Sequence, residues 1–201
     1  MSRYPRIVIA TNNAKKLTEL RRIVAGAGLD VEVLGLADFP AYPEPAETER
    51  TFEGNAFIKA EAALAHTGLP AVADDSGLAV AELNDMPGVR SARWAGPACD
   101  DAANNALLLA QLDGVPDNRR QARFVCALAF VAPDGERRVW HGELPGRVAQ
   151  APSGEGGFGY DPLLVPDGHD VTTAELTPEA KDAISHRGQA VRAFVEWLKG
   201  A

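Results

Sequence analysis

Two carboxylates side by side, Asp74 and Asp75, follow directly on the apolar run 69–73 and are themselves followed by Ser76 and Gly77. Acids at the end of a buried strand are costly without a counter-charge, and a hard divalent cation offers one. In open α/β sheets that edge is also where ligands bind. One carboxylate there can hold a cation and orient a water, the two tasks of phosphate hydrolysis. Asp, Ser and Gly also favour turns, so a plain turn is the competing reading.

A second group, Thr11-Asn12-Asn13-Ala14-Lys15-Lys16, sits where an apolar run gives way to a helical pattern. Unpaired N–H groups and partial positive charge at a helix start attract phosphate, and Lys16 on the first turn adds a cation. The alternative is an ordinary N-cap with solvated lysines. The third group, Gly154-Glu155-Gly156-Gly157-Phe158-Gly159-Tyr160-Asp161-Pro162, matches G-x-G-x-x-G by letter. It follows Pro-Ser rather than a strand and enters Asp-Pro rather than a helix, so a dinucleotide turn is excluded by context. Its glycines instead allow the backbone close to a ligand, with Phe158 or Tyr160 as a stacking face for a base; a glycine-rich turn with a packed aromatic is the alternative. The fourth is Lys181 with His186 and Arg187, a compact set of donors. Such donors suit a purine with a carbonyl oxygen at position 6, because an amino group there sets donor against donor. His186 taken alone is more simply a satisfied histidine.

These residues need a scaffold, and the pattern supplies one. Residues 6–10 read as a buried strand, and Leu17, Leu20, Val24 and Ala27 carry helical spacing from Ala14 to Gly28. A strand is expected at 31–34, then an exposed loop marked by Pro40, Pro43 and Pro45, a helix over about 51–66, and a strand at 69–73. A helix over 100–112 precedes a hairpin of 123–131 and 136–141 about Pro133-Asp134-Gly135, with a short strand at 147–149 and a helix over 180–199. The expectation is one domain over 1–201: an α/β fold with a mixed central sheet flanked by helices, in two lobes with a cleft between them and the second lobe rich in hairpins.

Net charge is −8, which leaves no broad cationic face for a nucleic acid. The apolar stretch Ile7 to Ala10 is too short for a signal peptide or a membrane span, so a soluble cytoplasmic protein is expected, with no membrane partner. Cys99 and Cys126 form neither a disulfide framework nor a zinc pattern.

Taken in order, these segments resemble the inosine/xanthosine triphosphate pyrophosphatase family of house-cleaning enzymes. The likeness also covers Thr51-Phe52-Glu53-x-Asn55-Ala56-x-x-Lys59-Ala60, Pro87-Gly88-Val89-x-Ser91-Ala92-Arg93 and Ser185-His186-Arg187-Gly188, and spans nearly the whole chain. The resemblance implies Mg²⁺-dependent hydrolysis of purine triphosphates such as ITP, dITP and XTP to the monophosphate and pyrophosphate, by a homodimer. It implies Asp75 as general base and metal ligand, with Asp74 supporting it and Lys16 at the phosphates. Glu47 matches a second metal ligand. Thr11, Asn12, Asn13, Ala14, Lys15 and Ser76 fall in the substrate segments; Phe158, Gly159, Tyr160 and Asp161 line the base and sugar pocket; Lys181, His186 and Arg187 contact the nucleotide. Gly54 departs from relatives that carry a second acid after Glu53. The rival expectations are a pyrophosphatase with another base preference and a non-catalytic nucleotide-binding regulatory module.

Overall fold

The computed structural model describes residues 2–200, with the side chains of Lys15 and Glu19 outside that description. Among the described residues seven strands form one sheet: β1 (Arg6–Ile9), β2 (Glu32–Gly35), β3 (Ala71–Val80), β4 (Met86–Pro87), β5 (Gln121–Val131), β6 (Arg137–Val148) and β7 (Leu164–Pro166). The order is β2-β1-β3-β5-β6-β7, with β4 paired to β3 off that path. β1 runs parallel to β2 and β3, whereas β4 is antiparallel to β3 and β7 to β6, so the sheet is mixed. The helices are α1 (Ala14–Gly26), α2 (Phe52–Thr67), α3 (Asp101–Gln111), α4 (Pro178–Ile184) and α5 (His186–Gly200). The parallel pairs require crossovers, which α1 and α2 supply.

The chain divides into two compact units, and the first boundary falls between Asp75 and Ser76, in the middle of β3. In the first unit, side-chain alternation along the strands gives the sheet two unlike faces. Ile7, Ile9, Val72, Cys126, Leu128 and Phe130 pack with Leu20 and Val24 of α1 and with Phe194, Val195 and Leu198 of α5. The intervening positions, Ala10, Ala71, Ala73, Ala127 and Ala129, pack with Ala56, Phe57, Ala60 and Ala63 of α2. Large residues hold α1 and α5 away from the sheet; alanine against alanine lets α2 lie close to it.

The second unit has its own core, in which Leu78, Leu108, Leu112, Phe124, Leu144 and Tyr160 are buried together. Arg120, 2% exposed, is buried in this unit as well. Its guanidinium donates to the carbonyls of Val148, Leu112 and Ala149, each at 2.9 Å. The Leu112 carbonyl ends α3, where the helix dipole is negative, so the cation is matched by carbonyl dipoles. Arg120→Met should therefore leave several buried carbonyls without donors and lower stability by about 3 kcal/mol. Chemical denaturation checks this; a loss within 0.5 kcal/mol, roughly the effect of a surface substitution, would contradict it.

Four expectations change. β3 does not end at 73 but continues to Val80, so Asp74 to Gly77 lie inside a strand rather than in a turn beyond it. Ion pairing of both acids removes the cost that would have ended the strand, and Leu78, Ala79 and Val80 continue the buried run. The segment 147–149 is not a separate strand: Arg147 and Val148 close a twelve-residue β6, and its partner β7 was not foreseen. The hairpin tip belongs to the first unit, because Cys126, Leu128 and Phe130 supply the core against α5. The last helix breaks at Ser185, whose extended backbone ends α4 and whose Oγ accepts from Gly188 N–H at 2.9 Å, capping α5.

Candidate active site

Alternation has its largest consequence at the acid pair. Adjacent residues in a strand send their side chains to opposite faces, so Asp74 follows Val72 toward α1 and Asp75 follows Ala73 toward α2. Each meets a lysine. Lys16 Nζ, on the first turn of α1, donates to Asp74 Oδ2 at 2.8 Å. Lys59 Nζ, on α2, donates to Asp75 Oδ1 at 3.0 Å and to Glu47 Oε1 at 3.1 Å. Asn55 precedes Lys59 by four residues and so shares its helix face; its Nδ2 donates to Asp75 Oδ2 at 3.3 Å. The close seat of α2 on alanines is what brings both to the strand.

Asp75 is 8% exposed. Burial pushes its carboxyl above the ordinary range, against the pull of Lys59, with Glu47 and Asp74 adding to the rise. Burial weakens the Lys59 ammonium as well, but Asp75, Asp74 and Glu47 together outweigh it and hold that group above its usual value. One ammonium shared among several acids satisfies the lysine more fully than it satisfies any one acid. A buried carboxylate with a raised pKa is the kind of group that accepts a proton or trades its partner for a stronger cation.

Asp75 and Glu47 are therefore the pair fitted to a divalent cation, since both already converge on one positive charge. Among the described residues no set of three His, Cys, Asp or Glu side chains gathers into a closed cage. Glu53 is instead 3.5 Å from His141 at the surface. Gly54 has a packing reason: a Cβ there would stand 2.6 Å from Glu49 Cβ, so an acid at this position needs a different loop.

At the start of α1, Thr11 Oγ1 accepts from the Asn13 N–H at 3.1 Å, and Asn12 Nδ2 lies 3.4 Å from Glu44 Oε2. Ala14 is the first helical residue, and the side chain expected to help at Lys15 lies outside the described residues. A cavity of about 390 Å³ opens beside Thr11 and Asn12, with Tyr42, Glu44 and Lys59 in its walls. Thr11, Asn12, Lys59 and Glu44 give it polar walls of both signs.

Ser76, Phe158, Gly159, Tyr160, Asp161, Lys181, His186 and Arg187 belong to the second unit. Phe158 is 36% exposed, with the Lys181 ammonium 5.4 Å and the Arg187 guanidinium 5.5 Å from its ring centre. Tyr160 is not a stacking face: its ring is in the core and its hydroxyl donates to Ser91 O at 3.0 Å. Burial raises that phenol far above the usual tyrosine range. Asp161 is the hub of the loop, for its carboxylate accepts from Phe158 N–H and Thr173 Oγ1, each at 2.8 Å, and pairs with Lys181. The His186 ring lies on Phe124 with centres 5.0 Å apart. Exposed Phe158 between two cations is thus the group in this unit suited to a flat anionic ligand.

Sequence reasoning placed Asn55 and Lys59 only within a motif and gave them no role. Their i, i+4 spacing on a helix of alanines was the available signal. Nothing comparable pointed to Asp101 or Asn105 of α3, which contact Gly159.

The chain is 63% identical over 188 residues to a protein of Nocardia farcinica named dITP/XTP pyrophosphatase, covering 93% of this chain and 91% of the relative. A crystal structure of a nucleoside-triphosphatase, dITP/XTP pyrophosphatase, from Mycobacterium abscessus shares 56% identity and superposes with a TM-score of 0.79 over 94% of this chain and 98% of that one. A HAM1 protein of Coxiella burnetii is 41% identical with a TM-score of 0.90, over 98% and 99% of the two chains. The profile of the Ham1 family matches residues 7–197, and with these relatives it shows that the chain belongs to that family.

Proposed function

We propose that this chain is a nucleoside triphosphate pyrophosphatase that hydrolyses non-canonical purine nucleoside triphosphates, those of inosine and xanthosine in ribo or deoxy form, to the monophosphate and pyrophosphate. The observation that carries the reading is the buried Asp75 carboxylate, pushed up in pKa and shared with Glu47 around Lys59. The near full-length identity to proteins named dITP/XTP pyrophosphatase supports the same activity.

Asp75 and Glu47 would hold Mg²⁺, which would supply charge neutralisation for the phosphate oxygens and a lowered pKa for water. The rest falls to the chain's own groups. Asp75 accepts the proton of the attacking water and aims it at the α-phosphorus, and Asn55 fixes the plane of that carboxylate. Lys16 and Lys59 take up charge as pyrophosphate leaves, while Thr11, Asn12, Asn13 and the backbone at Ala14 hold tail oxygens. Asp74 keeps Lys16 directed inward. Phe158 stacks on the base, Lys181 contacts the nucleotide, and His186 and Arg187 read the 6-carbonyl. Asp161 shapes this loop from beneath. Catalysis is by positioning and electrostatics, with no covalent intermediate.

The substrate is a small soluble nucleotide, and among the described residues no helix is long and apolar enough to cross a membrane. The working state we infer is a cytoplasmic homodimer, on family likeness. The test is release of pyrophosphate from a panel of triphosphates with and without Mg²⁺. Inosine and xanthosine triphosphates should be cleaved at least about tenfold better than adenosine triphosphate, the scale of one mismatched hydrogen bond. Orthophosphate as product, or equal cleavage of all bases, would contradict the reading. Binding without hydrolysis would make the chain a regulatory module instead.

A further inference from the structure

The loop that carries Phe158 has little stiffness of its own. Gly157 and Gly159 both sit in the left-handed region, at φ of 76° and 61°. A Cβ on Gly159 would meet nothing within 4 Å, so this glycine is there for its conformation and not for space. Glycine reaches that region freely and leaves it as freely. The ring of Phe158 is therefore held in place by whatever grips the peptides beside it.

Asp161 takes the Phe158 N–H from within the loop, and helix α3 adds a grip from outside it. Asp101 Oδ2 accepts from the Gly159 N–H at 2.7 Å, and one turn along the same helix face Asn105 Nδ2 donates to the Gly159 carbonyl at 3.0 Å. Both polar groups of a single residue are thus fixed from one rigid element, one of the bonds being charge-assisted. Asn105 is 8% exposed, and its Oδ1 is buried with no hydrogen-bond partner among the described residues. A buried amide that leaves its oxygen unmatched so that its nitrogen can meet Gly159 is oriented by that contact.

We propose that Asp101 and Asn105 are positioning residues that clamp Gly159 and so hold the Phe158 ring ready for the purine base, a role that rests on the nucleoside reading of this unit given above. Asp101 is exposed and stands at the first position of α3, where its loss leaves the core untouched. The clamp acts at the nucleoside end, so it governs substrate affinity and not the chemical step.

The test is steady-state kinetics with inosine triphosphate and Mg²⁺ on the full-length protein. Asp101→Ala should raise KM about tenfold, the scale of one charge-assisted hydrogen bond, and change kcat by less than about twofold. Asp101→Asn keeps an acceptor for the Gly159 N–H and should restore most of the affinity. Inhibition by inorganic tripolyphosphate, which has no base, should be unchanged by either substitution. Asp100→Ala is the control for helix stability, because Asp100 caps α3 by accepting from Ala103 N–H at 2.9 Å and has no part in the clamp. It should lower the melting temperature and leave KM alone. If Asp101→Ala keeps the wild-type KM while Phe158→Ala raises it, the clamp is refuted and the nucleoside reading stands. If Phe158→Ala also leaves KM unchanged, the nucleoside reading itself has failed. Equal loss of affinity for inosine triphosphate and tripolyphosphate in Asp101→Ala would mark a general structural role and overturn the proposal.

Discussion

Asp75→Asn should lower turnover of inosine triphosphate by about 10³-fold, within the range lost when a general base is removed, while the protein stays folded. The ionised carboxylate accepts from Lys59 at one oxygen and from Asn55 at the other. An amide offers one oxygen, so it cannot satisfy both donors, hold a cation as a carboxylate does, or take a proton from water. Folding should survive for the reason that makes the site reactive. Burial raises the Asp75 pKa, which means that the charged form is disfavoured in the native state, and a neutral side chain of the same shape relieves that cost. Lys59 keeps Glu47 as a partner. Pyrophosphate release measured beside a thermal melt checks both halves; turnover within about tenfold of wild type would remove Asp75 from the proton-accepting role.

The second large effect is expected at the other end of the substrate. Gly157→Ala places a methyl group against the Asp161 carboxylate, at a backbone angle that costs a non-glycine residue about 1–3 kcal/mol. Asp161 cannot yield without loss, since Phe158 N–H, Thr173 Oγ1 and Lys181 all donate to it. The expected result is a KM for inosine triphosphate raised by about 10²-fold, the scale of a misplaced binding group, together with a lowered melting temperature. Kinetics and calorimetry on the purified variant provide the check. An unchanged KM with a lowered melting temperature would separate the loop's shape from substrate binding.

What the sequence made legible, and what it hid, follows from how far each signal reaches. The run 6–10, the helical spacing after Ala14 and the turn at Pro133-Asp134-Gly135 are local patterns, and the corresponding elements are present within a few residues. The placement of Lys16 on the first turn of α1 was equally local. The length of β3 was not, because two adjacent acids read as the end of a strand unless the lysines that neutralise them are known. Lys16 is 58 positions from Asp74 and Lys59 is 16 from Asp75, separations at which spacing says nothing. The Ser185 break shows the converse: serine in extended backbone can cap two helices at once, and helical periodicity runs through it unmarked. Tyr160 was a reasonable choice for a stacking face by residue type alone, but only the packed core shows that its ring faces inward and Phe158 faces out. Opposite pointing of Asp74 and Asp75 was available in principle from strand alternation. It applies only because both lie within a strand.

In the proposed mechanism, water directed by Asp75 attacks the α-phosphorus and pyrophosphate leaves. Hydrolysis of inosine triphosphate in ¹⁸O-enriched water, with mass analysis of both products, tests it most directly. One labelled oxygen is expected in the inosine monophosphate and none in the pyrophosphate. Label in the pyrophosphate, with an unlabelled monophosphate, would place the attack on the β-phosphorus and contradict it.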